Sequence, residues 1–369
     1  MSSPHIRTHA ALLIVLAAAC GPKSIPSLIS PADVELIGAY VFPGIHLTGR
    51  SGDEIGGLSG VWFDEALGHA LMVTDDAMRP RIVPMEVRLL PQVEVIVLMP
   101  RPLMPAAPGR SFDLEALAPS PEGHLFVTSE GETIDPEDQL PGIFEFARDG
   151  RLLRQLPLPA AYAGLDQDRG LEGVSLSPDK RYLFAATENG LRQDGPGPDL
   201  SRGALSRILV VDLHGHPTRE YAYSLDPIPP LPGVSNATGT NGVSEVLSLG
   251  SGRLLVLERA FTEEESGPRS ANSIRIYQIT LEPDAEITGR WSLRDEPPTA
   301  PLRKTLVFDL GTVAAHLPAR LRTLENFEAM TWGPTLPDGR RSLLLVSDDN
   351  FSESQVTALV ALAVEIRQP

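Results

Sequence analysis

The sequence predicts an all-β fold, a six-bladed β-propeller, on three observations. One short pattern recurs five times between residues 57 and 349. Turn signatures separate its paired apolar runs. No stretch keeps apolar residues at i, i+3, i+4 and i+7 over four helical turns. Each copy opens with Gly, Asp or Asn, an apolar residue, then Ser or Glu and a small residue leading into a strand. A turn and a second apolar run follow, and the run usually ends in Thr or Ser and an acid.

The first copy is Gly57-Leu58-Ser59-Gly60-Val61-Trp62 with Leu71–Asp76, and the second is Asp113-Leu114-Glu115-Ala116-Leu117-Ala118 with Leu125–Glu130. The third is Gly170-Leu171-Glu172-Gly173-Val174-Ser175 with Leu183–Glu188. The fourth is Gly242-Val243-Ser244-Glu245-Val246-Leu247 with Leu254–Arg259, and the fifth is Asn326-Phe327-Glu328-Ala329-Met330-Thr331 with Leu343–Asp349. Hairpin turns join the paired strands at Pro121-Glu122-Gly123, Ser177-Pro178-Asp179-Lys180, Gly250-Ser251-Gly252 and Pro337-Asp338-Gly339. Third strands follow at Gly142–Phe146, Ser206–Asp212 and Ser273–Ile279, and fourth strands at Leu152–Leu156 and Glu220–Tyr223. Copies start 56, 57, 72 and 84 residues apart. Four short strands with turns need about 40–50 residues, so each copy reads as one blade with insertions. A sixth blade is expected from the N-terminal strand Val34–Val41 joined with late strands such as Ala358–Ile366. Six blades are preferred to seven.

The N-terminus reads as a leader. Weakly basic residues (His5, Arg7, His9) precede an apolar run from Ala10 to Ala19, too short to span a bilayer. Ala17-Ala18-Ala19-Cys20-Gly21 resembles a bacterial lipobox, although Leu16 stands one position early, and Cys20 is the only cysteine of the chain. Residues 1–19 are therefore expected to be a signal peptide, Cys20 the lipidation site, 20–33 a tether and 34–369 the propeller. An ordinary cleaved signal is the alternative. The implied location is the bacterial cell envelope, lipid-anchored at the outer membrane, or else a secreted or periplasmic one. The membrane would be met through the lipid anchor only.

The 369 residues carry 48 acidic against 31 basic side chains, for a net charge of −17. That balance argues against a nucleic-acid partner, because a phosphate backbone wants clustered Lys and Arg. One cysteine excludes an intramolecular disulfide framework and a multi-cysteine zinc site. The chain reads as a monomer whose partner is a small-molecule ester or an envelope ligand.

In a propeller the first strand of each blade lines the central channel. The recurrent Ser59, Glu115, Glu172, Ser244 and Glu328 should thus converge, as should the acids ending the second strands: Asp75, Asp76, Glu130, Glu188, Glu258, Asp348 and Asp349. Gathered carboxylates repel, and burying them unpaired is costly. Calcium, with six to eight oxygen ligands, suits such a ring, and Glu115, Glu172, Glu188, Glu258, Glu328 and Asp348 are the expected ligands. Pairing with Arg169 or Arg259 is the alternative. No EF-hand loop, Gly-x-Ser-x-Gly elbow or His-Glu-x-x-His motif is present, and of the histidines only His46 and His316 lie clear of the leader and the turns. A serine triad is thus disfavoured. Metal-assisted hydrolysis needs no histidine, with Glu172 and Glu328 at the reacting centre and Arg259 as an anion clamp. A structural ion pair is the other reading of Arg259. Asp135–Asp138 and Asp166–Asp168 read as solvated loops.

The segments Asp113-Leu-Glu115-Ala-Leu, Gly170-Leu-Glu172-Gly-Val, Leu257-Glu258-Arg259 and Asn326-Phe-Glu328-Ala-Met, with Ser347-Asp348-Asp349-Asn350-Phe351, resemble the phytase-like family (esterase-like activity of phytase). The likeness runs over roughly residues 34–365. It implies a propeller, secretion or surface attachment, and phosphoesterase or esterase activity. By analogy with β-propeller phytases it also implies calcium near the channel. Those enzymes surround phosphate with basic residues, whereas this chain has only three Lys, a departure that argues against phytate itself. A lactonase-type hydrolase is a variant of this reading. A non-catalytic binding propeller with structural acids is the alternative.

Overall fold

A computed structural model describes residues 28–367 apart from 44–46, 49–53, 105–111, 132–140 and 166–169. The proposed leader, Cys20, His46, Arg169 and the loops Asp135–Asp138 and Asp166–Asp168 lie outside these residues. Five four-stranded antiparallel sheets follow one another around an axis. The first blade consists of Leu58–Asp64, His69–Thr74, Arg81–Arg88 and Glu94–Val97, with Arg101–Pro102 paired to its third strand. The second is built of Leu114–Pro119, Leu125–Ser129, Gly142–Phe146 and Leu152–Leu156. Leu171–Leu176, Tyr182–Thr187, Leu205–Asp212 and Pro217–Ser224 form the third, and Ala237–Gly250, Arg253–Glu264, Ser270–Thr280 and Lys304–Asp309 the fourth.

The fifth blade corrects the expected count. The fifth copy supplies only Asn326–Thr335, Arg341–Asp348 and Ala358–Val364. Val34–Val41 adds antiparallel to Ala358–Val364, from Val34 opposite Val364 to Val41 opposite Ala358, and becomes the fourth strand of that same sheet. These first and last strands do meet, but they complete the fifth blade rather than build a sixth. The propeller is therefore five-bladed, neither six nor seven. Leu28 and Ile29, at the end of the stretch read as a tether, are buried against the fourth and fifth blades.

Alternating side chains hold the ring together. Leu343 and Leu345 pack toward the fourth blade while Leu344 and Val346 pack toward the first. The same alternation sends Val360 and Leu362 one way and Leu359 and Ala361 the other. A strand buried on both faces needs a continuous apolar run, which explains Leu343-Leu344-Leu345-Val346. Three further apolar clusters seal the remaining blade interfaces and close the circle. The wide spacing between the fourth and fifth copies has a local cause. The segment after Thr280 crosses the third blade, where Ile287 and Leu302 donate main-chain hydrogen bonds to Glu220 and Ala222, each at 2.8 Å. Arg207 is fully buried beneath it, paired with Asp194 at 2.7 Å and Glu220 at 3.2 Å.

Candidate functional site: an acidic channel mouth

Main-chain pairing aligns the five blades residue by residue. Leu58 lies opposite Thr74, Leu114 opposite Ser129, Leu171 opposite Thr187, Val243 opposite Glu258 and Phe327 opposite Ser347. Two positions of each blade thus reach one mouth of the channel. The residue after the apolar one is Ser59, Glu115, Glu172, Ser244 or Glu328. The residue after the partner is Asp75, Glu130, Glu188, Arg259 or Asp348. In the fourth blade, therefore, the arginine stands where the other blades place an acid.

This register corrects the reading of Glu258. It occupies the place of the buried Thr74, Ser129, Thr187 and Ser347, and successive strand residues point oppositely. Its carboxylate turns away from the channel. It accepts hydrogen bonds from the Tyr223 hydroxyl at 2.5 Å, from Asn241 at 3.2 Å and from the Lys304 ammonium at 2.5 Å. Lys304 also reaches Asp226 at 2.8 Å and lies 4.3 Å from the Tyr277 ring centroid. That cluster ties the third blade to the fourth. The expected ligands Glu115, Glu172, Glu188, Glu328 and Asp348 remain at the mouth. Asp75, Asp113 and Glu130 join them there.

The electrostatics are one-sided. Carboxylate oxygens of Asp113, Glu115 and Glu130 lie within 4.8 Å of one another. Burial, then the charges of Asp113 and Glu328, pushes Asp75 up to about 7. Burial and Glu188 push Glu130 up to about 7, against a hydrogen bond to Glu172 and the Gly170 N–H at 2.6 Å. Glu115 is raised well above the carboxylate range by burial and by Glu130 and Asp113, and Glu172 by burial and by Glu130 and Glu115. Asp348 is raised by burial and by Asp75 and Glu328. Two of these contacts, Asp75 with Asp348 and Glu130 with Glu172, are hydrogen bonds between carboxyl groups, and each requires a proton.

Among the described residues, Arg259 is the cation of the mouth. Its guanidinium lies 2.9 Å from Glu328 and 4.0 Å from Glu188, and these charges, with Glu172, outweigh the burial that opposes its own. Asn326 also donates to Glu328 at 2.9 Å. The Arg259 Nε and the Asp75 Oδ1 are buried without a hydrogen-bond partner among the described residues. Gly57 explains how Asp75 fits: at φ +60° a Cβ there would lie 1.6 Å from Asp75 Oδ1 and 2.6 Å from the Phe351 ring. Beside it, Asp349 accepts hydrogen bonds from the N–H groups of Gly57 at 3.0 Å and Phe351 at 3.1 Å and from the Thr357 hydroxyl at 2.9 Å. Asp349 thus shapes the rim. His316 is exposed on a helical turn outside the channel. Ser59 does not offer its hydroxyl to the mouth, since it donates to the Leu114 carbonyl.

Asp75, Asp113 and Glu130 carry a visible signal in the sequence, since all three belong to the repeat. Their grouping requires the blade register. The model of the family described as phytase-like, esterase-like activity of phytase, matches residues 53–351. An uncharacterized secreted protein of Arthroderma benhamiae is 26% identical over 186 residues, which is 40% of this chain and 34% of that protein. The match therefore spans about a third of that relative's length. Among solved structures, an endo-arabinase of Bacteroides thetaiotaomicron aligns at TM-score 0.44 and 11% identity over 85% of this chain and 96% of that one. The periplasmic gluconolactonase of Pseudomonas aeruginosa aligns at TM-score 0.35 and 14% identity over 86% and 87%.

Proposed function

Since the chain belongs to the phytase-like family, esterase-like activity of phytase, we propose that it is a calcium-dependent hydrolase of phosphate or carboxylic esters acting at the acidic channel mouth. One observation carries the reading: many carboxyl groups face one another across the mouth with, among the described residues, a single arginine. The donors are all oxygens, which suits a hard divalent cation. The partnerless Asp75 Oδ1 is an acceptor available to such an ion. Asp75, Asp113, Glu115, Glu130, Glu188 and Asp348 would hold calcium, which would neutralise the cluster and polarise an ester oxygen, leaving Glu172 as the protonated neighbour.

The protein's own groups supply the rest. Arg259, held by Glu328, would offer its guanidinium to an anionic or carbonyl oxygen of the substrate. Glu172, kept protonated by burial and sharing its proton with Glu130, is placed to give that proton to the leaving oxygen. The substrate would be an ester in solution or in the envelope. The lipobox-like Ala17–Gly21 and the secreted relative favour an envelope or extracellular location. Palmitate labelling of the full chain, lost in Cys20→Ala, tests the anchor.

The decisive experiment is a panel of phosphate esters, carboxylic esters and lactones with calcium and with chelator. Glu172→Gln and Glu328→Gln should each lower kcat/KM by about 100-fold or more while the protein stays folded. Unchanged turnover in both variants would refute catalysis at this mouth. Calcium retention without turnover of any class would leave a binding propeller.

A further inference from the structure

We infer that the end of the channel opposite the acidic mouth is a second binding site, which takes a small organic ammonium ion with its charge against the Glu245 carboxyl. All five blades line a cavity of about 530 Å³ at that end, formed by the later halves of the inner strands and their hairpin turns. That volume falls within the range of small-molecule sites, roughly 300–1,000 Å³.

The position of Glu245 is unusual within the repeat. After the Ser or Glu of each copy comes a small residue: Gly60, Ala116, Gly173 and Ala329 in four blades, but Glu245 in the fourth. The small residues let inner strands abut. A Cβ on Gly60 would lie 2.7 Å from Ala116 Cα, and one on Gly173 2.6 Å from Val246 N and 2.9 Å from Glu245 Cα. Glu245 is 2% exposed, yet it borders the cavity. Its hydrogen-bond partners among the described residues are two main-chain N–H groups on one oxygen, Val174 at 3.1 Å and Val246 at 2.9 Å. Burial raises its proton affinity well above the ordinary range, against those two bonds. A carboxyl desolvated without a cation is expensive to keep, and a ligand bearing one repays that cost.

The surroundings suit a cation on an apolar body. Val61, Leu117, Val174 and Met330 form walls, and Trp62 offers an aromatic side. Toward the rim the charges already pair, Arg148 with Asp64 at 3.1 Å and Arg341 with Glu65 at 3.7 Å. Arg341 also lies 4.4 Å from the Trp332 ring centroid, and Lys180 is exposed at the lip. Glu245 is thus the ionisable group at the cavity's depth. The overall charge of −17 favours cations at long range.

The test is calorimetric titration of the full chain with n-butylammonium, n-butanol and glucose, in excess calcium so that the acidic mouth is occupied. Two buffers of different ionisation enthalpy report proton release. n-Butylammonium should bind with release of up to one proton at pH 6, n-butanol and glucose at least tenfold more weakly. Glu245→Gln and Glu245→Ala should weaken n-butylammonium at least tenfold, whereas Glu172→Gln should leave it unchanged. Glu245→Ala restores the small residue of the other blades and should melt a few degrees higher, which separates lost binding from misfolding. Absence of n-butylammonium binding, equal binding of n-butanol, or unaltered affinity in both Glu245 variants would overturn the proposal.

Discussion

Acidification in the presence of chelator should stabilise this protein. Asp75 and Glu130 are pushed up to about 7 by burial and neighbouring carboxylates. Between the ordinary carboxylate range and pH 7 the folded state holds protons that the unfolded chain has released, so stability falls as pH rises and the loss is complete above 7. Glu115, Glu172, Asp348 and Glu245 act in the same direction. From pH 5.5 to 7, two such groups, half-titrated at the upper end, change stability by about 3 kcal/mol at about 1.4 kcal/mol per full unit each. A body of this size unfolds with an entropy of about 0.7 kcal/mol/K, so the melting temperature should be about 5 °C higher at pH 5.5 than at pH 7. Scanning calorimetry at several pH values reads this directly. In excess calcium the carboxylates that hold the ion stay ionised in the folded state. The neutral-pH melting temperature should then rise and the pH dependence flatten. A melting temperature that is level or falls on acidification in chelator would refute the buried-carboxyl argument. Identical profiles with and without calcium would refute the ion site.

Other outcomes follow from single contacts. Lys304→Met strands Glu258, 3% exposed, together with Asp226, and should cost about 3–5 kcal/mol in urea unfolding; a loss below about 1 kcal/mol would show that this cluster does not lock the third blade to the fourth. Gly57→Ala forces a Cβ onto Asp75 at a positive φ, so calcium affinity and melting temperature should both fall, as calorimetry would show. Arg259→Met should raise KM for anionic esters more than for neutral lactones while Glu328→Gln affects both, a contrast that steady-state kinetics resolves.

The all-β class, the number of repeat copies and most of the acidic mouth were readable from the amino-acid order, because each is written in short-range periodicity. Alternating apolar residues and Pro-Asp or Pro-Glu turns dictate hairpins whatever lies around them. Glu115, Glu172, Glu188, Glu328 and Asp348 were legible because a repeated residue in a radially repeated fold returns to the axis. Blade closure was a tertiary decision: the pairing of Val34–Val41 with Ala358–Val364 is long-range, and only the sheet order shows both strands beside Arg341–Asp348. The roles of Glu258 and Arg259 were decided the same way. These residues are neighbours in the chain, but strand pleating sends one into a Tyr–Lys cluster between blades and the other into the channel. A shift of one residue in register exchanges those fates, and the main-chain hydrogen bonds between strands set that register. Glu245 makes the same point: on the strand it is one acid beside Ser244, and in the closed ring it stands where the other blades have only a hydrogen or a methyl group.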